Sequence, residues 1–449
     1  MTTPRPPSLV DSLIPVVALV GLLALTIAVF GGVSTGVGAI FILLAVGGLI
    51  GTWNLAGTIP TIVYYGIALL GPAWFYLACA AICALVGLVT GSSWTTAGTL
   101  GVAFVGMAGV LGLSAHIAAG AVICGAYFGD KMTPLSETTI LVPSLVGRGL
   151  TVSTHVRTMF WTAGPALGVS LVIFLVLGLT ATPGGSVDVG AAQAALREVF
   201  TVSWVNLLPL VLLAACSFRK VPPFLAILGS AVFAGVLAVF TQPAAVGRFA
   251  TGPADSAFGT GVEAVFGALA NGFVSDSGNE RIDELFSRGG MASLLTTVWL
   301  VLAALAFAAI MEHAGFLARL LAPVIARART RGRLILAVNA SGIGLNVVAG
   351  DQYVADVLPA RMFRDEFARR GLAPQVLSRA VEDSGTVTSV LVPGNTCGAY
   401  ISGVLGVPTA AYLPFCFFNL LSPLLDVLYG FLGVKVPTVP AEHTAERVP

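Results

Sequence analysis

Charge is the scarcest property of this sequence. Aspartate, glutamate, lysine and arginine make up 10% of its 449 residues, whereas a soluble domain carries about 25%. The chain is also 57% hydrophobic, so it has too little polar surface to coat a water-soluble globule. The shortage of charge therefore argues against a soluble enzyme and predicts an all-α protein that crosses the lipid bilayer many times.

Other absences each exclude a class of function. The net charge is only +1, which offers nucleic acid no basic surface. The sequence has no Walker motif, no dinucleotide fingerprint and no Cys/His spacing typical of a metal centre, so we expect no cofactor and no ATP-driven pumping. The six cysteines lie in apolar stretches and predict no disulfide framework. An ion gradient remains as the source of energy for active transport.

Long apolar runs are what the sequence does contain. They predict roughly 11–13 transmembrane crossings of about 20 residues each, the first of them over 12–31. Shorter runs interrupted by Gly, Ser, Thr or Asn are typical of re-entrant hairpins and broken helices. The predicted organisation is an N-terminal tail (1–10), a first transmembrane repeat (11–241), a second transmembrane repeat (242–433) and a C-terminal tail (434–449).

Arginine clusters orient these crossings in the membrane. Five arginines fall within 319–333 and five within 361–379. By the positive-inside rule both segments face the cytoplasm. We therefore expect a multi-pass protein of the prokaryotic cytoplasmic membrane.

A charged cluster follows the longest uncharged stretch. The 118 residues between Asp11 and Asp130 contain no Asp, Glu, Lys or Arg, and then Asp130, Lys131 and Glu137 occur within eight positions. Charge inside a membrane segment is costly and usually marks an ion path or a coupling site. Pro134 interrupts a helix and frees carbonyl oxygens that suit a cation such as Na+. The alternative is a purely structural Asp130–Lys131 ion pair.

Hydroxyl groups and a second acidic segment extend this predicted site. Adjacent carboxylates at Glu382 and Asp383 precede a hydroxyl-rich segment and a Pro-Gly break. Because neighbouring residues on a helix do not face each other, we expect one of the two to face the pathway and the other the cytoplasmic rim. Asp383 is predicted to bind the ion or substrate, whereas Glu382 is either a second pathway residue or part of a solvated rim. The polar residues predicted to line the site are Ser136, Thr138, Thr139, Thr386, Thr388, Asn395 and Thr396.

A weak internal repeat relates the two halves at an offset of 250 residues. It aligns 138–144 with 388–394 and the Gly/Ser-rich stretch 90–96 with 340–346. Paired interruptions in two halves are typical of transporters with a binding site near the membrane midplane. This pattern adds Ser92, Thr95, Asn346 and Asp351 to the predicted ion- or substrate-binding residues, whereas Asp356 is interpreted as a rim residue.

Several stretches resemble the NhaC family of Na+/H+ antiporters. They are Gly-Asp-Lys-Met-Thr-Pro-Leu-Ser-Glu-Thr-Thr at 129–139, Gly-Phe-Val-Ser-Asp-Ser-Gly-Asn-Glu at 272–280, Glu-Asp-Ser-Gly-Thr-Val-Thr-Ser at 382–389 and Asn-Thr-Cys-Gly-Ala-Tyr at 395–400. The resemblance implies two inverted repeats with re-entrant hairpins, a scaffold beside a moving transport part, and often a homodimer. It extends to members that exchange organic acids, such as malate for lactate with Na+.

The sequence also departs from the pattern of that family. Glu137 stands where the family commonly has Asp, Ile140 where it has Asn, Val390 where it has Pro, and Gly394 where it has Trp. These replacements change the polarity and size of the predicted site.

Two functional hypotheses follow from the resemblance and the residues. In the first, the protein is a Na+/H+ antiporter working by alternating access, with Na+ and protons competing for Asp130, Glu137 and Asp383. In the second, it carries a small organic acid or amino acid together with Na+ or H+, and Lys131 pairs with the carboxylate of that substrate.

Overall fold

Helices account for the regular structure of the described chain. A computed structural model describes residues 35–147, 149–181, 189–219, 221–250, 256–278 and 280–439. Within these residues the extended structure is limited to two isolated bridges, Phe273–Arg288 and Leu372–Thr438. The all-α prediction is confirmed. The predicted tail 1–10, the predicted crossing 12–31 and residues 440–449 of the predicted C-terminal tail lie outside the described residues.

The first half of the described chain, up to residue 241, alternates long helices with short broken ones. A π-helical turn, Ala97–Gly101, joins α4 to α5. The helices are α1 (Thr35–Leu55), α2 (Thr58–Leu69), α3 (Pro72–Thr90), α4 (Ser93–Thr96), α5 (Val102–Val110), α6 (Ala115–Lys131), α7 (Glu137–Val146), α8 (Val152–Thr180), α9 (Val189–Val199), α10 (Leu208–Phe218) and α11 (Pro223–Thr241).

The second half contains the more polar helices of the protein. Short 3₁₀ turns precede α15 and follow α19. The helices are α12 (Pro243–Phe249), α13 (Ala257–Asn271), α14 (Glu280–Phe286), α15 (Leu295–His313), α16 (Phe316–Arg327), α17 (Arg331–Val348), α18 (Gln352–Arg369), α19 (Pro374–Thr388), α20 (Thr396–Leu405), α21 (Thr409–Tyr412) and α22 (Phe417–Leu432).

Length and composition identify the clearest membrane crossings. Among the described helices, α3, α8, α11 and the segment Met291–His313 are each long and apolar enough to span a bilayer. Three further pairs of helices, bent by 70°, 86° and 58°, raise this number to seven if each pair is one span. The other helices are shorter, broken or polar. The higher count of roughly 11–13 crossings therefore stays a prediction.

Two helix breaks interrupt the first half near the predicted site. Helix α3 ends at Gly91, whose φ of 68° is readily available to glycine. Ser92 then caps α4 by accepting a hydrogen bond from the Thr95 amide at 3.2 Å. The second break separates α6 from α7, and Ser136 lies at its end, at the N-cap position of α7. Pro134 lies inside this break, as the sequence predicts.

Two breaks of the same kind occur in the second half. Gly350, with φ of 65°, ends the turn after α17, and Asp351 caps α18 by accepting from the Val354 amide at 3.1 Å. The other break ends at Asn395, which caps α20 by accepting from the Cys397 amide at 2.9 Å. The capping positions 92 and 136 are 44 residues apart, as are 351 and 395.

The predicted offset of 250 residues does not align these breaks. Residues 340–346 lie inside the continuous helix α17, whereas 90–96 contain a helix break. The N-cap positions 92 and 351 are instead 259 residues apart, as are 136 and 395. The offset was wrong because it followed a shared Thr, Val and Leu composition, whereas capping residues and glycines set the position of a break.

Close glycine contacts bring one break against the end of α6. A Cβ on Gly125 would overlap the carbonyl group of Ala80 on α3, and a Cβ on Gly129 would overlap the backbone of Gly87. Small residues of this kind let membrane helices approach closely. As a result, Asp130 and Lys131 at the end of α6 lie beside the break that follows α3.

Candidate functional site

A buried ion pair lies where four helices meet. Lys131 at the end of α6 pairs with Asp383 on α19, and both side chains are 0% exposed. Asp383 also accepts hydrogen bonds from Thr162 on α8, at 2.9 Å, and from Ser422 on α22. The aspartate thus has a cation and two hydroxyl donors, which compensate much of its desolvation. The structure brings together two predicted residues, Lys131 and Asp383, from opposite halves of the chain.

Asp130 has a separate set of partners at the neighbouring break. Its Oδ2 accepts from the backbone amide of Ser93 at 3.0 Å and from the Ser93 hydroxyl at 2.7 Å. Adjacent residues on a helix point in different directions, so Asp130 turns to α4 whereas Lys131 turns to α19. The structural Asp130–Lys131 ion pair considered from the sequence is therefore not formed.

The remaining polar residues of the first charged segment organise the break before α7. The Thr139 hydroxyl donates to the carbonyl of Lys131 at 3.2 Å, which ties α7 to the end of α6. The hydroxyls of Ser136 and Thr138 lie 3.2 Å apart. Glu137, in contrast, is exposed and accepts a hydrogen bond of 2.5 Å from the Tyr353 hydroxyl.

Amide groups join the two breaks of the second half. Asn346 on α17 donates to the Gly385 carbonyl at 2.7 Å and to the Thr388 hydroxyl at 3.1 Å. Asn395 donates to the Asn346 side-chain oxygen at 2.9 Å. The Thr396 amide donates to the carbonyl of Gly350 at 2.9 Å. The predicted residues Asn346, Thr388, Asn395 and Thr396 therefore form one connected group, with Asp351 capping the adjoining helix.

Two carboxylates for which the sequence suggested a position at a rim are in fact buried. Glu382 and Asp356 are both 0% exposed. Asp356 accepts a hydrogen bond from the predicted site residue Thr386 at 2.8 Å, and Oε1 of Glu382 lies 3.7 Å from Nε2 of His155. The rim predictions were wrong because helices α8, α18 and α22 pack around α19, and sequence periodicity does not reveal which faces of a helix are covered.

A second buried ion pair corrects the interpretation of one arginine cluster. Arg379 was assigned to a cytoplasmic segment, but its guanidinium lies inside the protein, 2.7 Å from Asp426, and both side chains are 0% exposed. Asn339 donates to the same carboxylate at 2.8 Å, and Arg379 also donates to the carbonyl of Lys435 at 2.9 Å. Arg379 therefore stabilises the packing of α17, α19 and α22.

The predicted residues form several linked groups rather than one cluster. Asp130, Glu137 and Asp383 each have different partners, and the described residues contain no group of three His, Cys, Asp or Glu side chains that could hold a metal ion. Sequence reasoning missed Thr162 and Ser422, because single hydroxyls in apolar helices carry no signal of their own. Ser93 could have been predicted from the sequence, since it belongs to the same Gly-Ser-Ser stretch as Ser92.

Buried ion pairs within apolar, repeatedly broken helices define a multi-pass transporter of the cell membrane rather than an enzyme. The family model of the Na+/H+ antiporter family matches residues 125–434. The chain belongs to this family, as its resemblance to NhaC proteins implied.

Curated relatives match nearly the whole chain. The Na+/H+ antiporter NhaC of Alkalihalophilus pseudofirmus is 37% identical over 91% of this chain and 85% of its own length. The malate-2H+/Na+-lactate antiporter of Bacillus subtilis is 32% identical, with 92% and 86% covered. The arginine/ornithine antiporter ArcD of Halobacterium salinarum is 34% identical, with 93% and 84% covered. The family thus includes proteins named for ions, organic acids and amino acids.

Proposed function

We propose that this protein exchanges Na+ for H+ across the cytoplasmic membrane by alternating access. The observation that carries the proposal is the buried Lys131–Asp383 ion pair, which joins the two halves of the chain beside a helix break. The two proposed substrates, Na+ and H+, are those in the name of the NhaC relative. In this proposal, Asp130, Glu137 and Asp383 bind Na+ and protons in competition, and the polar residues of the four breaks line the path.

The ion pair offers a physical link between ion binding and movement. Removing one partner from a buried ion pair leaves an uncompensated charge, which is strongly unfavourable. A Na+ ion or proton that reaches Asp383 replaces the charge of Lys131 and releases that side chain from α19. Binding then favours a different arrangement of α6, α8, α19 and α22, and such a differential preference is what a ligand-driven conformational change requires.

Reconstitution into proteoliposomes tests this function. An imposed Na+ gradient should drive proton movement in the opposite direction, measured with a pH-sensitive dye trapped inside the vesicles. Asp130→Asn should abolish the movement, because it removes a buried charge while keeping the side-chain shape. Asp365→Asn is the matched control, since the Asp365 side chain is 84% exposed. Absence of Na+-dependent proton movement in wild-type vesicles contradicts the function, and movement that survives in Asp130→Asn contradicts the residue assignment.

A carrier of organic acids or amino acids is the second candidate. Two relatives with 32% and 34% identity are named for such substrates, and Lys131 could pair with a substrate carboxylate. The structure gives Lys131 a different partner, Asp383, so this function requires the substrate to displace an internal carboxylate. Thermal stabilisation by malate, lactate, arginine or ornithine, but not by Na+, would favour it. A homodimer also stays a prediction.

A further inference from the structure

The four carboxylates on and around α19 fall into two groups. Asp383 and Asp426 each pair with a buried cation, Lys131 and Arg379 respectively. Glu382 and Asp356 are equally buried, yet no lysine or arginine among the described residues forms an ion pair with either. The first group is electrically balanced within the protein. The second group has no lysine or arginine partner among the described residues, and this difference needs a physical reason.

Burial without a lysine or arginine partner is energetically more unfavourable for Glu382 than for Asp356. Neither of its carboxylate oxygens receives a hydrogen bond from the described residues. The His155 ring lies 3.7 Å away, beyond hydrogen-bond distance, and its other nitrogen lies 2.8 Å from the Ser378 hydroxyl. An ionised carboxylate that is buried without hydrogen-bond donors is highly unfavourable. A cation that binds at Glu382 would therefore stabilise this carboxylate.

Asp356 on α18 faces the same side of α19 one turn further along. Its Oδ2 accepts from Thr386, four residues after Glu382, and residues four apart lie on one face of a helix. Its Oδ1 has no donor among the described residues and lies directly against Gly385, where any Cβ would overlap it. Asp356 therefore contacts α19 within about one helical turn of Glu382.

We propose that Glu382 and Asp356 together form a Na+-binding site, in addition to the residues predicted from the sequence. Three undonated carboxylate oxygens, two on Glu382 and one on Asp356, are hard ligands of the type that such a cation prefers. Lys131 and Arg379 cannot neutralise them without leaving Asp383 and Asp426. The inference rests on the proposed function for the identity of the cation.

Direct binding of radioactive Na+ to the purified, full-length protein tests the site without measuring transport. Choline replaces Na+ in the reference buffer. Glu382→Gln and Asp356→Asn should each weaken Na+ binding by about tenfold or more, a typical loss when a group supporting a metal ion is removed. Asp365→Asn makes the same change of charge at an exposed position of α18 and should bind Na+ like the wild type.

Thermal melting in choline buffer establishes that each variant is folded. Glu382→Gln and Asp356→Asn should melt at or above the wild-type temperature, because each removes an unpaired buried charge, and each should lose the stabilisation by Na+. Should Glu382→Gln not fold, Glu382→Asp, which keeps the charge and withdraws the oxygens, provides the same comparison with weakened binding. Folded variants that bind Na+ as tightly as the wild type overturn the inference.

The binding result and the transport result separate the inference from the proposed function. Wild-type Na+-driven proton movement combined with undiminished Na+ binding in both variants supports the function and overturns this site. Loss of Na+ binding in the variants, combined with no proton movement by the wild type, supports the site and overturns the exchange of Na+ for H+.

Discussion

The two halves of the chain each contain two helix breaks whose N-cap positions are 44 residues apart, but the halves place charge differently. In the first half, charged residues flank the second break: Asp130 and Lys131 end α6, and Glu137 begins α7. In the second half, one break carries a carboxylate cap at Asp351, while the other is held by neutral amides around Asn395. Here the charges Glu382 and Asp383 lie inside a continuous helix, α19.

This difference explains how the Lys131–Asp383 ion pair can connect the halves. Lys131 lies at the end of α6, where its side chain can contact a neighbouring helix. It pairs with Asp383 on α19, which is 252 positions later in the sequence. The amide-lined break requires no counter-charge, because its donors and acceptors satisfy one another. The first half therefore contributes a charged residue, Lys131, that needs a partner in the second half. The second half contributes a break that is held by neutral amide hydrogen bonds.

Removing the lysine from the Lys131–Asp383 ion pair should have the largest effect on stability. Lys131→Met leaves Asp383 buried without a counter-charge, so we expect a loss of about 3–5 kcal/mol in the free energy of unfolding. Thermal melting of the detergent-purified protein measures the effect. The double variant Lys131→Met/Asp383→Asn should recover most of the loss, because no unpaired charge remains. A single variant that melts like the wild type contradicts the assignment of this pair.

Removing the amide link should disturb the neutral break less. Asn395→Ala removes the donor to Asn346 and the cap of the Cys397 amide, which we expect to lower the free energy of unfolding by about 1–3 kcal/mol. Asn395→Ser is the control, since serine keeps a capping oxygen and loses only the amide link. A serine variant that melts like the wild type would show that the amide link contributes little.

Exchanging the helix caps tests whether the matched breaks are physically equivalent. Ser92→Ala removes the acceptor for the Thr95 amide and should lower stability by about 1 kcal/mol. Ser92→Asp introduces the residue type found at position 351 and should cap α4 as well as serine does. A melting curve decides between them, and an aspartate variant as unstable as the alanine variant would argue against equivalent caps.

The exposed contact between the halves should matter least for stability. Tyr353→Phe removes the donor to Glu137, and because Glu137 is exposed, the expected change in the free energy of unfolding is within about 0.5 kcal/mol. Melting temperature provides the measurement. A loss as large as that of Asn395→Ala would place Glu137 among the residues that hold the halves together.

Local features of the site could be predicted from the sequence. Pro134 and the Pro-Gly pair at 393–394 both lie in helix breaks, as helix interruption by proline requires. Asp130, Lys131 and Asp383 are buried, in keeping with charges placed in apolar segments. The partners of these residues could not be predicted, because Thr162 and Ser422 are ordinary hydroxyls in apolar helices until α8 and α22 pack against α19.

Apolar length and proline act locally along the chain, so they are enough to predict an all-α membrane protein with charged, broken segments. Three further features depend on how the helices pack: Lys131 pairs with Asp383, Arg379 is internal, and Glu382 and Asp356 are buried without a lysine or arginine partner. The physical reason is that the energy of a buried charge depends on what surrounds it in space, and these surroundings come from helices distant in the sequence.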